Sequence, residues 1–359
     1  MRPEALGATV AITGMNATDN PAPGVAVARS LRHDPGFTGK IVGLGYDALD
    51  PGFYAEGLLD AGAILPYPSA GRDALRARLT ALRASHGIDV FVPTLDSELR
   101  AAVALGPELR ALGIHTFLPT MESLDGSTKA KIFALHDGDH IHVPESEAIT
   151  TPDAFPRLIE RLGLPLVVKG PFYGADIVHG EGDAVASFHR FAARWGVPII
   201  VQKLIVGEEY NVAAIGDGEG GLVGAVAMRK MALTDKGKGW SGVTVDNPAL
   251  LRLTAAVVEK LRYRGPLEVE ILRERESGDL FVLEINPRFP AWIYLSAGAG
   301  QNLPLAAVRL ALGERVSRPL PPYRIGTMFV RISLDQITDL GTYEALTSHG
   351  MTGDAGGRQ

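Results

Sequence analysis

The sequence predicts an α/β protein in which a Rossmann-like N-terminal domain is followed by an α+β region. Two observations predict it. The first is that Ala8 to Thr13, Lys40 to Gly45 and Asp89 to Pro93 are short apolar runs, separated by helical patterns through Val25, Ala28 and Leu31 and over Asp73 to Ser85. Such alternation builds a parallel sheet. The second is that Gly265 to Arg288, GPLEVEILRERESGDLFVLEINPR, reads as two alternating strands joined by a tight turn, the mark of an antiparallel hairpin. A chain of 359 residues, 46% of them hydrophobic, exceeds one ordinary core and suits two or three domains.

Composition narrows the function classes. There is no cysteine, so disulfides, thiolate metal sites and a cysteine nucleophile are excluded, which fits a cytoplasmic protein. Met1 to Thr9 has neither the charged start nor the apolar middle of a signal peptide. The longest uncharged stretch, Phe289 to Val308, contains Pro290, Gly298, Gly300 and Pro304 and reads as a loop and helix start, so no membrane anchor is expected. A net charge of -6 with no basic run argues against a nucleic-acid partner.

In chain order, the loop Gly14 to Gly24 after the first strand has no GxGxxG pattern, and GxxxxGK[ST] occurs nowhere, so neither a dinucleotide fingerprint nor a P-loop is expected. From Ser127 a helix should carry Lys129, Lys131, Ile132, Phe133 and Leu135 and end near Gly138. The segment HDGDHIH, with Asp137 and Asp139 among His136, His140 and His142, could ligate a metal or form a solvated turn; Gly138 in its middle favours the turn. Thr151 to Leu162 reads as a helix closed by Gly163, and Leu164 to Lys169 as a strand ending in lysine. The loop GPFYGADIVHG follows, then a strand from Val197 to Gln202. Asn211 to Lys230 should form a hairpin with Gly216 to Gly221 at its tip, and Arg229, Lys230, Lys236 and Lys238 around Gly237, Gly239 and Gly242 a mobile cationic loop. Such a loop could close over a transferring phosphoryl group or be solvated; Lys230 and Lys238 are its candidate catalytic residues, and Trp240 covers the site or anchors the loop. An amphipathic helix is predicted from Asn247 to Leu261, with Leu250, Leu253, Val257 and Leu261 on one face. Pro319 to Pro322 breaks the chain before a last strand, Ile325 to Ile332, and Gly350 to Gln359 is expected to be a disordered end.

The hairpin carries the chemistry. If Glu276-Ser277-Gly278 forms a three-residue loop with Gly278 in the left-handed region, the register is symmetric about Ser277 and sets Glu270 opposite Glu284. In the second run Leu280, Val282, Glu284 and Asn286 alternate on to one face. Two opposed carboxylates destabilise a sheet unless something positive lies between them, and oxygen-only ligands suit Mg²⁺. Asn286 adds a carbonyl oxygen, and Arg288 a guanidinium just beyond. The other reading is an exposed acidic edge.

An acid followed across a turn by EINPR and a glycine-rich apolar stretch resembles the metal-binding strands of the ATP-grasp superfamily, in the style of the carbamoyl phosphate synthetase large subunit, over about Met121 to Gly313. The resemblance implies that Glu270, Glu284 and Asn286 hold Mg²⁺, as two ions with Mn²⁺ a substitute, and that Arg288 steadies an acyl phosphate. It makes Lys129 (or Lys131) and Lys169 ligands of the ATP phosphates, and Gln202 to Glu209 the nucleotide hinge, with backbone groups of Lys203 and Ile205 on the adenine edge and Glu209 on the ribose. It divides the chain into a pre-ATP-grasp domain (1–120), a lid subdomain (121–203), a metal-bearing subdomain (204–318) and a C-terminal strand and tail (319–359). Substrate candidates are Asn16, Thr18, Asp19, Asp96 and Glu98, at the carboxyl ends of parallel strands, where turn and cap residues also collect.

Two departures stand out. Phe172, Tyr173 and Asp176 make the phosphate loop bulkier than the family's glycine-rich one, and Phe289 and Trp292 replace polar residues of carbamoyl phosphate synthetase. The acidic, histidine-bearing stretch of biotin carboxylase is absent too. These argue against carbamoyl phosphate and biotin chemistry, and leave a flatter acceptor or simple core packing for the aromatics. The activity implied is an ATP-dependent carboxylate–amine ligase working through an acyl phosphate on a small carboxylate and an amine, amino-acid or peptide-like. The oligomeric state stays open, a homodimer being one option because relatives of this kind are often dimers. A nucleotide-binding regulatory protein, or phosphoryl transfer without amide formation, is the alternative.

Overall fold

The structure is a computed structural model, and it describes residues 5–17, 21–171, 174–234 and 239–352. The chain begins with β1 (Val10–Thr13), α1 (Gly24–His33), β2 (Ile41–Gly45), β3 (Ala61–Ile64), α2 (Arg72–His86), β4 (Val90–Val92), α3 (Asp96–Ala111) and α4 (Met121–Gly126). The four strands form a parallel sheet of order β3-β2-β1-β4. Both faces are covered, so the strands are apolar throughout: Val10 and Ile12 enter one core while Ala11 enters another with Leu79, Leu82 and Leu105.

Two elements here differ from expectation. Asp96 and Glu98 open helix α3 instead of lying in a loop; acids in the first turn complement the helix dipole, and Leu99, Ala102, Leu105 and Leu109 form its buried stripe. The helix expected from Ser127 is a run of turns with a short 3-10 segment at Ile132–Leu135. The Ser127 and Thr128 hydroxyls donate back to the carbonyls of Leu124 and Asp125, competing with helix propagation. In HDGDHIH, Asp137 Oδ1 accepts the N–H groups of Asp139, His140 and Ile141, which folds the segment into a turn; the donors on Ile141 and His140 hold its carboxyl well below the usual range.

Next come β5 (Ser146–Ile149), α5 (Phe155–Leu162), β6 (Leu166–Lys169), β7 (Ala175–Val178), α6 (Glu181–Trp195) and β8 (Ile199–Lys203), an antiparallel sheet of order β5-β8-β6-β7. Its core packs Leu166, Val168, Ile199 and Val201 against Leu158, Leu162 and Phe188 of the two helices. By alternation, Val167, Lys169, Ile200 and Gln202 turn to the other face. The phosphate loop is shorter than expected, because β7 pairs with β6 and Asp176 is tied to Ser187 and Arg190 of α6. Phe172 and Tyr173 lie outside the described residues.

The third unit contains β9 (Gly207–Asp217), β10 (Leu222–Leu233), β11 (Gly239–Thr244), α7 (Pro248–Leu261), β12 (Arg264–Glu274), β13 (Leu280–Asn286), α8 (Tyr294–Gly298), α9 (Leu303–Ala311), β14 (Met328–Val330) and α10 (Leu340–His349). Its six-stranded sheet has the order β13-β12-β9-β10-β11-β14. One face packs on α7 through Val212, Val257, Val269 and Ile285; the other shares a core with α9 and with Val27 and Leu31 of α1. The shared core seats the large sheet against the N-terminal unit.

Glu270 does face Glu284, but the register between them is irregular: Ile271 pairs with Val282, leaving Leu283 bulged. The bulge corrects the one-face reading of the second strand. Leu280 and Val282 pack with the α7 core, as does Ile285, whereas Glu284 and Asn286 emerge on the opposite face beside Glu268 and Glu270. Gly278 has φ +79° at the turn. Gly278→Ala is expected to destabilise the chain by about 1 kcal/mol, read from the urea midpoint, without changing nucleotide affinity.

Arg229 and Lys230 are strand residues of β10 and not part of a mobile loop, because β11 pairs with them. Lys236 and Lys238 lie outside the described residues. The tail is corrected in part: α10 was not expected, and Gly350 to Thr352 returns to the edge of β3, with Met351 bridging Ala63 and backbone bonds joining Ile64 to Gly350 and Thr352 to Gly62. Residues 353–359 lie outside the described range.

Candidate active site

Where the shared core of the large sheet gives out, its face turns charged. The strand registers place Glu284, Glu270, Asn211, Met228 and Thr244 in one row across β13, β12, β9, β10 and β11. On one side of that row Lys230 meets Glu209 as an ion pair, and the row on the other side holds Asn286 with Glu268 and Ala213. This floor opens into a cavity of about 560 Å³ whose opposite wall comes from the N-terminal unit, including Asn16, Tyr46, Asp50 and Asp96. A second cavity, about 490 Å³, lies beneath Pro198 and Ile200 of the smaller sheet and meets the first at Lys129, Glu284 and Asn286.

Lysines answer the carboxylates. Lys129 Nζ lies 3.3 Å from Glu284, and Lys230 Nζ lies 2.8 Å from Glu209 and 3.6 Å from Glu270. Burial alone would lower the Lys230 pKa, but Glu270 and Glu209 more than offset it and hold the ammonium above its usual range. Lys169, on the cleft-facing side of β6, is shifted down, chiefly by burial and against the pull of Glu284. Glu284 is pushed up by burial, with Lys129 opposing. Arg288 is fixed by Asp96 at the start of α3, through Nε at 3.0 Å and a terminal nitrogen at 2.9 Å.

Glu268 was not among the residues singled out from the sequence. It is 5% exposed and accepts from Asn211 Nδ2 (2.7 Å), Asn286 Nδ2 (3.0 Å) and Trp292 Nε1 (2.7 Å). Burial and the neighbouring Glu270 raise its pKa. The available signal was its spacing of two from Glu270, which puts both on one face.

The donor set suits Mg²⁺, a hard cation that binds through one or two carboxylates and completes its shell with phosphates and water. Opposed Glu270 and Glu284 call for positive charge between them, and Asn286, whose nitrogen serves Glu268 and Glu270, offers its oxygen elsewhere. Among the described residues no group of three or more His, Cys, Asp or Glu is placed to hold a metal unaided.

Residues 196–331 match the family model described as ATP-grasp in the biosynthetic pathway with Ter operon. The carbamoyl phosphate synthase large chain of Clostridium botulinum (strain Alaska E43 / Type E3) is 24% identical over 232 residues, covering 61% of this chain but only 22% of that one. The D-alanine–D-alanine ligase of Chromohalobacter salexigens is 33% identical over 114 residues, 30% of this chain and 36% of that one. The chain belongs to the ATP-grasp superfamily. The fold agrees. Biotin carboxylase from Campylobacter jejuni superposes with a TM-score of 0.67 at 17% identity, over 86% of this chain and 72% of that one. The biotin carboxylase domain of the Hydrogenobacter thermophilus 2-oxoglutarate carboxylase, solved with MgADP, ADP and bicarbonate, gives 0.69 at 14% identity, over 91% and 74%. N5-carboxyaminoimidazole synthetase from Staphylococcus aureus gives 0.63 at 15%, over 87% and 79%.

Within this ATP-grasp fold, Lys129, Lys230, Glu270, Glu284, Asn286, Arg288, Asn16 and Asp96 line the first cavity together. Lys131 is exposed, so Lys129 is the lysine that faces inward. Gln202 is buried on the cleft side of β8. Lys203 gives its N–H to the Glu145 carbonyl at 2.8 Å, so a donor for an adenine edge would fall to Ile205, in the link to β9. Glu98 is not in the cavity: it is buried in the N-terminal unit, accepting from Thr13 (2.6 Å) and Tyr46 (2.5 Å). Phe289 packs in the core, whereas Trp292 both joins that core and lines the first cavity. Trp240 sits in β11 and lines a pocket that adjoins the first cavity at Pro21, Ala22, Ala291, Trp292 and Arg331. Thr18, Asp19 and Lys238 fall outside the described residues.

Proposed function

We propose that the chain is an ATP-dependent carboxylate–amine ligase that acts on small molecules and forms an amide through an acyl phosphate. The observation that carries it is the convergence, in one cavity, of opposed Glu270 and Glu284, the ammonium groups of Lys129 and Lys230, and Arg288 held by Asp96. The parallel sheet at the start of the chain serves as the Rossmann-like pre-ATP-grasp domain and supplies the substrate wall. ATP lies across the two cavities, with Lys169 and Lys129 on its phosphates and the Lys203 to Glu209 link at its base and ribose. Glu209 is paired with Lys230, so ribose binding would share it with that ammonium. Mg²⁺, held by Glu270, Glu284 and the Asn286 oxygen, supplies charge against the phosphates when bound.

A substrate carboxylate oxygen attacks the γ-phosphorus; the bond from phosphorus to the β,γ-bridging oxygen breaks and ADP departs. The amine nitrogen then bonds to the acyl carbon, phosphate leaves with the C–O electron pair, and the extra amine proton passes to solvent. Arg288 faces the oxyanion of the tetrahedral intermediate, and Lys230, kept charged by its carboxylates, neutralises the transferring group. No protein nucleophile is needed, consistent with a chain that has no cysteine.

The test is ADP and phosphate release with Mg-ATP across a carboxylate library, with and without pooled amino acids and peptides, and Glu284→Ala as the blank. Release that needs an acid and an amine and vanishes in the variant is the expected result. Release with the acid alone indicates phosphoryl transfer. Silence in every well with ATP still bound indicates a regulatory nucleotide binder.

A further inference from the structure

We infer that Asn211 is the residue that positions the attacking amine, with Glu268 setting its orientation; the inference rests on the ligase reading. Asn211 is 2% exposed, yet it lines the cavity in the same row as Glu270 and Glu284. Its Nδ2 donates to Glu268 Oε1, which decides which way the amide points, since the reverse orientation would set its oxygen against a carboxylate. The Oδ1 atom is therefore left as an acceptor, and among the described residues it has no hydrogen-bond partner. A buried acceptor left unpaired costs about 1–3 kcal/mol, so the position calls for a donor that arrives with a ligand.

The chemistry of the reaction narrows that donor. The row neighbours, Glu270 and Met228, cannot supply one. Neither can an ionised carboxylate substrate or a triphosphate. The hydroxyl and amino donors of ATP belong with its ribose and base, near Glu209 and Ile205. Among the reactants the attacking amine alone brings an N–H to this end of the site. An uncharged amide oxygen accepts one N–H of a neutral amine and leaves the nitrogen lone pair free to attack; a carboxylate there would instead favour the unreactive ammonium. Glu268 meets this need indirectly. Its three donors, Asn211, Asn286 and Trp292, lock two asparagine oxygens in place at once.

The experiment uses the full chain, ATP, the acid found by the library screen, and hydroxylamine as nucleophile, followed as hydroxamate. Asn211→Ala is expected to raise the KM for hydroxylamine about tenfold, a loss of about 1.4 kcal/mol, while the KM values for ATP, the acid and Mg²⁺ stay within about twofold. Glu268→Gln should move the same constant in the same direction by freeing the amide to turn. If Asn211→Ala melts below the assay temperature, Asn211→Ser replaces it, since a hydroxyl restores only part of the contact. A variant whose Mg²⁺ requirement rises while hydroxylamine is unaffected overturns the inference, because Oδ1 would then face the cation; so does an unchanged KM for hydroxylamine in both variants. A wild-type chain that releases no ADP with any acid overturns the ligase reading itself, and the role of Asn211 with it.

Discussion

Glu284→Gln will lower ADP release by about 10²- to 10³-fold and leave the chain at least as stable as wild type at pH 8. The two effects have one origin. Glu284 stands directly across from Glu270, with burial pushing its carboxyl up and Lys129 opposing that shift. Opposed like charges weaken a strand pair, so the neutral amide relieves repulsion even as it removes one of the oxygens proposed above to hold Mg²⁺. The side chain keeps its shape, and Lys129 retains a carbonyl oxygen in reach. Steady-state ADP release and thermal melting at pH 8 check both halves. A variant that loses activity because it melts early would sink the account, since the carboxylate would then be structural.

The second large effect is a loss of stability with rising pH that Glu98→Gln reduces. Burial pushes the Glu98 carboxyl from its ordinary 4.5 up to about 7, with hydroxyl donors from Thr13 and Tyr46 pulling the other way. An acid whose pKa rises on folding favours the folded state while protonated. The stability it lends is complete below the unfolded value near 4.5 and is lost as pH climbs through about 7. That span corresponds to about 3 kcal/mol. Urea unfolding at pH 5 and pH 8 should show the wild type losing more stability between the two than Glu98→Gln, by roughly this amount. Equal pH dependence in the two proteins would show that Glu98 does not set it.

How legible the site was in advance depended on how local its causes are. Glu270 was expected to meet Glu284 through a three-residue turn, but the strands leave the turn one residue out of that register, Arg273 with Leu280 and Ile271 with Val282, and the bulge at Leu283 is what brings Glu284 opposite Glu270. The bulge at Leu283 was not legible, because nothing in the alternation of that strand signals an extra residue until the α7 core claims both Val282 and Ile285. Glu268 was not singled out from the sequence. Its burial is created by Asn211 and Trp292, which approach from distant segments. Helix α3 was readable and was missed: its acidic first turn and apolar stripe were present, but the acids had been assigned to a ligand loop. Lys230 was read both as the end of a hairpin and as part of a mobile loop, and pairing with Gly242 of β11 decides for the strand.

The return of Gly350 to Thr352 to the edge of β3 bears on how the protein is made. Thr352 bonds to Gly62 across 290 residues of sequence. At a synthesis rate of about 5–20 residues per second, that separation is about 15–60 s during which the parallel sheet has its chain order but an uncovered border. A bare strand edge invites pairing with other chains. For most of its time on the ribosome the N-terminal unit is therefore a nascent sheet still open to a wrong neighbour, and the segment that shuts it is among the last described residues to emerge.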